Sequence, residues 1–148
     1  MLANDFPAAK AILEETIRLN PDLSDNYWFM AITYFNFGEE LEGLKYVNLA
    51  LDKEYSISNL AQAMQMAQIA AKNKDYASMA RLYEVIINLD PNKAENYGNL
   101  ATAYALIGEK DKAIKNARKA AELDPSYQAE LGTFINRVET GTFKLSNE

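Results

Sequence analysis

Apolar residues recur along this chain at i, i+3, i+4 and i+7, the spacing that gives an α-helix one buried face. No stretch of useful length alternates apolar and polar with period two, so no strand is expected. The pattern predicts eight helices: 6–19, 24–37, 40–52, 59–72, 76–88, 93–107, 110–123 and 127–139. Gly108 and Pro125 punctuate the last of these, because glycine permits a tight turn and proline cannot continue a helix. Asn92, three residues before Glu95, is expected to form a capping pair for the helix that follows it. The tail from Thr140 is expected to fray.

The helices come in a repeating order. IRLNPD ends at Asp22, INLDPN at Asn92 and AELDPS at Ser126, and Pro91 and Pro125 are 34 residues apart. Residues 60–93 and 94–127 are therefore in register. Residues 24–57 join them after a two-residue insertion, Ser58 and Asn59. Half a unit, residues 4–23, precedes them, and a capping helix, residues 128–139, and a tail, 140–148, follow. Tyr97, Leu100, Ala101 and Tyr104, then Gly108, Ala113, Ala120 and Pro125, stand at the spacing of one signature; Tyr27, Met30, Ala31, Tyr34, Gly38 and Ala50 repeat it.

This pattern resembles the tetratricopeptide repeat, a 34-residue helix-turn-helix unit with large residues and small ones at fixed columns. The resemblance covers roughly residues 4–139. Gly43 departs from it where alanine is usual, Tyr55 where proline is usual, and Lys74 where the turn glycine is usual. The middle unit is weaker, with Ala63, Met66, Ala67 and Ala70 in the columns of its first helix. The resemblance implies an all-α, right-handed superhelical solenoid of antiparallel helix pairs in one array over residues 1–148. Stacking is needed because one pair cannot bury both its faces.

Composition narrows the chemistry. The 148 residues contain no Cys and no His. Thiolate nucleophiles, imidazole bases, Ser-His-Asp triads and Cys/His zinc sites are thereby excluded. Glu14–Glu15 and Glu39–Glu40 are neighbours about 100° apart on their helices and do not converge as an acid/base pair. There is no calcium loop, no phosphate-binding glycine motif and no N-x-[ST] acceptor. The reading is a non-enzyme with no catalytic residue, cofactor or metal. The opening residues do not read as a secretory signal, and no apolar run is long enough to span a bilayer.

The net charge is −6, and residues 1–60 carry ten acids against four bases. Such a chain is a poor binder of nucleic acid or anionic membranes. The one basic cluster (Lys110, Lys112, Lys115, Arg118 and Lys119) lacks interleaved aromatics and reads as solvated helix surface. Neither composition nor charge fixes a compartment.

In the family the first helices line a concave groove that takes peptides or partner helices. Carried onto this chain, the groove columns hold Trp28, Phe29, Ile32, Phe35 and Asn36, then Met64, Gln65, Gln68 and Lys72, then Gly98, Asn99, Thr102 and Leu106, with Asn136 from the cap. Six of the sixteen aromatics fall in one helix, and Trp28, Ile32 and Phe35 are spaced as an apolar strip. The best-known subfamily grips the C-terminal carboxylate of chaperones. Here Trp28 and Ile32 replace its first Lys and Asn, and Glu95 replaces its last Lys, so that clamp is absent. The expected function is a protein-interaction scaffold for an uncharged or amphipathic segment. The alternatives are an assembly module, or the arm of a larger cell-envelope protein, that self-associates through its opening helix, and, more remotely, a glycan-binding domain using the aromatics as a stacking platform.

Overall fold

A computed structural model describes residues 5–145 of the chain; Asn4 and residues 146–148, which the repeat assignment included, lie outside them. Among the described residues the elements are α1 (Phe6–Leu19), α2 (Ser24–Asn36), α3 (Glu40–Asp52), α4 (Leu60–Lys72), α5 (Tyr76–Leu89), α6 (Ala94–Leu106), α7 (Lys110–Leu123) and α8 (Gln128–Glu139). One 3₁₀ turn, Pro125–Tyr127, precedes α8. Every helix lies within one residue of the bounds that apolar spacing gave.

The chain divides into two compact units after Ile57, at the Ser58–Asn59 insertion. In the first unit α2 packs on α1 and α3. Phe6 anchors α1, with its ring 5.4 Å from Tyr34 and 4.9 Å from Phe37, while Tyr34 stacks on Tyr46 at 5.3 Å. The core here is Met30, Ala31, Leu44, Val47 and Ala50, all fully enclosed. In the second unit α4 pairs with α5, α5 with α6, α6 with α7, and α7 with α8. Ala63, Ala67, Leu82, Ile86, Ala101 and Ala117 form its centre. Alanines within each pair let the helix axes approach, as the repeat pattern implied.

Gly38 and Gly108 close their turns with φ of +79° and +84°. Lys74, in the same column of the middle repeat, adopts φ +57° without a glycine's freedom, a strain of roughly 1 kcal/mol that the surrounding turn sustains. Asn92 does not cap α6. The N-cap position belongs to Lys93, which makes no side-chain capping bond. The job of closing that turn falls to Asn96 and Tyr97, which reach back over it. The Asn96 amide donates to the Asp90 carbonyl (3.4 Å) and the Tyr97 hydroxyl to the Pro91 carbonyl (3.0 Å). Asn26 and Tyr27 do the same in the first unit, to Asn20 (3.4 Å) and Pro21 (2.8 Å).

Within the described residues, the segment after Thr140 makes specific contacts. Gly141 turns the chain at φ +70°, and the Thr142 amide donates to the Arg137 carbonyl at 2.8 Å. Phe143 then meets Phe134 edge-on, with ring centroids 4.9 Å apart and Arg137 above its face at 5.7 Å.

Candidate binding cleft

The predicted strip on α2 is engaged within its own unit. Trp28 is only 6% exposed and stacks on Tyr55, ring centroids 4.6 Å apart and planes 16° apart. Phe35 lies over Gly43, so close that an added Cβ would stand 2.7 Å from its ring. Trp28 and Phe35 are thus packing residues, not an open strip, and Ile32 between them is half-buried. The departures from the repeat pattern explain this. Tyr55, where proline is usual, supplies the ring on which Trp28 stacks, and Gly43, where alanine is usual, makes room for Phe35. What α2 leaves open is Phe29, 55% exposed, together with Asn36 and the half-buried Thr33 between them.

In the second unit the column of Trp28 holds Gly98, and nothing lies within 4 Å of where its Cβ would be. The missing side chain leaves a cleft of about 250 Å³. One wall is the α6 face that carries Glu95, Gly98, Asn99 and Thr102, spaced to share that face. Opposite stand Tyr127, Glu130, Leu131 and Phe134 from the cap. Leu131 and Phe134 also pack into the core beneath, against Ala101, Ala117 and Ala120. The Phe143 contact holds the Phe134 ring in place. The Thr102 hydroxyl donates back to the Gly98 carbonyl at 3.1 Å.

The cleft therefore gathers Gly98, Asn99 and Thr102 of the predicted residues. Leu106, on the last turn of α6, and Asn136, exposed on α8, are not among its walls. Met64, Gln65, Gln68 and Lys72 belong to α4; Met64 is half-buried and the other three are exposed. Sequence reasoning missed the opposing wall. Its signal was the cap helix itself, whose apolar positions Leu131 and Phe134 follow a repeat that has lost its large residue at Gly98.

α6 is held in place from behind. The Tyr104 hydroxyl donates to the Glu84 carboxylate on α5, and the Lys112 ammonium sits 5.2 Å over the same ring. Burial first, then the adjoining Glu84, pushes the Tyr104 phenol well above its ordinary value. The basic residues of α7 make surface ion pairs, Lys112 with Glu109 at 3.6 Å and Lys119 with Glu122 at 3.1 Å. Among the described residues no three acids converge as a metal site, and no helix is long and apolar enough to cross a membrane.

Antiparallel helix pairs of this kind, stacked through alanine columns and closed by a cap, define a helical-repeat protein. The chain carries a tetratricopeptide repeat: residues 82–115 match that family's model. It is 35% identical over 75 residues to the small glutamine-rich tetratricopeptide repeat-containing protein 2 of Mycosarcoma maydis, covering 49% of this chain and 21% of that one. The protein of the same name from Saccharomyces cerevisiae is 31% identical over 81 residues, 55% of this chain and 23% of the other. The chain thus spans about a fifth of the length of these curated relatives. Among solved structures it resembles YrrB, described as a tetratricopeptide-repeat protein with an unusual peptide-binding site, with a TM-score of 0.54 at 16% identity over 93% of this chain and 69% of that one. That likeness is one of fold.

Proposed function

We propose that this chain is a protein-interaction scaffold, and that the cleft between α6 and the cap receives a segment of its partner. The observation that carries this reading is Gly98. A glycine in a helix interior costs about 1 kcal/mol relative to alanine, and here the space it vacates is lined by Asn99, Thr102, Leu131 and Phe134 and open to solvent. A mostly apolar or amphipathic segment would place a side chain in that space, and the Asn99 amide would hydrogen-bond its main chain. Phe29 and Asn36, exposed on α2, are a second contact surface in the first unit. Two relatives carry the same kind of repeat in longer proteins, and YrrB is described as binding a peptide, which fits this reading. Tetratricopeptide repeats stack into extended surfaces that proteins use for binding.

The test is Gly98→Leu, assayed against a partner identified by affinity enrichment. Because the Cβ position is empty, leucine should fold into place and raise helix stability by up to about 1 kcal/mol while filling the cleft. Affinity for the partner should fall by about tenfold or more, as when a central anchor pocket is closed. Unchanged affinity in the folded variant would move the binding surface elsewhere.

A further inference from the structure

The cleft beside Gly98 has a charge as well as a shape. Glu95 and Glu130 stand on its two walls, and no Lys or Arg is among the residues that line it. Each carboxylate is in the first turn of its helix, α6 or α8, where the helix dipole favours negative charge. Two negative groups are thus held at one opening without a buried counterion. The rings of Tyr127, 37% exposed, and Phe134 line the same cleft. Glu95 does pair with Lys93 at 3.3 Å, but both side chains are about half exposed. A surface pair of that kind contributes little and yields readily to a better partner.

Resting on the reading of the cleft as a peptide site, we infer that its occupant is an arginine side chain projecting from an amphipathic segment of the partner. Arginine meets every feature of the cleft. Its planar guanidinium can donate paired N–H bonds to a carboxylate on each side. Its face stacks on aromatic rings, which Tyr127 and Phe134 provide. Its three-carbon stem lies against apolar surface, here Leu131 and the bare backbone at Gly98. Lysine would satisfy the charge but neither the stacking nor the fork. An acidic side chain is repelled by both walls, which sets this cleft apart from the carboxylate-gripping clamp that the sequence lacks.

The experiment titrates the isotopically labelled chain with four capped heptapeptides, identical except for Arg, Lys, Leu or Glu at the centre, and follows backbone amides by NMR. The Arg peptide should move the amides of Gly98, Asn99 and Thr102 saturably, with a Kd about fivefold or more below that of the Leu peptide. That advantage should shrink as salt is raised and vanish in the double variant Glu95→Gln/Glu130→Gln, whose exposed, isosteric substitutions leave the helices intact by circular dichroism. A Leu peptide that binds the cleft as tightly as the Arg peptide overturns the arginine assignment while leaving the cleft a peptide site. The Glu peptide binding best, the Arg peptide shifting only amides outside α6 and α8, or no peptide moving the cleft amides would also overturn it. The broader scaffold reading is judged separately, by the full partner against Gly98→Leu.

Discussion

At the scale of single residues, this chain departs from its repeat pattern in matched pairs. Phe35 and Gly43 occupy columns that in the last repeat hold Ala105 and Ala113, one large and one absent side chain in place of two small ones. Trp28 and Tyr55 are linked in the same way, each unusual in its column and each stacked on the other. A pair of this kind can be tested by a double-mutant cycle. Gly43→Ala in the parent chain should destabilise it by about 1–3 kcal/mol, because the new methyl group would stand 2.7 Å from the Phe35 ring and overpacking has that cost. In a Phe35→Ala background the same change should be neutral or stabilising by up to about 1 kcal/mol, alanine being the better helix former. Equal destabilisation in both backgrounds, measured by urea denaturation, would show that the two residues are not coupled. The aromatic spacing on α2 was legible in the sequence, but its orientation was not. The pattern showed which face Trp28 and Phe35 shared, yet the partners that cover them, Tyr55 and the gap at Gly43, lie elsewhere in the chain and read only as departures.

At the scale of elements, the helices themselves were nearly transparent, since period, turn glycines and NPD-type stops agree with one another. Turn chemistry was less so. Asn92 had the right spacing to Glu95 for a capping pair, but the turn is closed instead by Asn96 and Tyr97, buried or half-buried side chains one turn into α6. A cap signal in sequence competes with tertiary hydrogen bonds that the sequence does not display. The tail's contact is hidden for a related reason: Phe143 has its partner, Phe134, in the preceding helix. The element with most left over is α1. It buries none of its residues fully, and Ile12 and Leu19 are 65% and 59% exposed. Apolar helix surface of this kind tends to associate, and we expect the chain to self-associate through it. Sedimentation equilibrium should show the weight-average mass rising with concentration, and Ile12→Glu with Leu19→Glu should abolish the rise. A parent chain that stays monomeric at all concentrations would exclude this contact.

At the scale of the molecule, two compact units share one repeat but present different surfaces. The first spends its large aromatics on internal packing and leaves Phe29 outside; the second omits the large residue at Gly98 and opens a cleft against its cap. The acidic excess lies in the residues up to Leu60, while the later part of the chain is balanced in charge, so the two carboxylates at the cleft are a local arrangement and not a by-product of net charge. Of the candidate residues, those on α6 were legible because Gly98 is conspicuous in a helix that otherwise follows the signature. The opposing wall was not, since it comes from a helix outside the repeat. The central claim is that recognition occurs in this cleft, and amide hydrogen exchange with and without saturating partner tests it most directly. Slowed exchange across Ala94–Leu106 and Gln128–Glu139, with α7's exposed basic face unchanged, is the expected result. Protection confined to that basic face, or to α3 and α4, would contradict it.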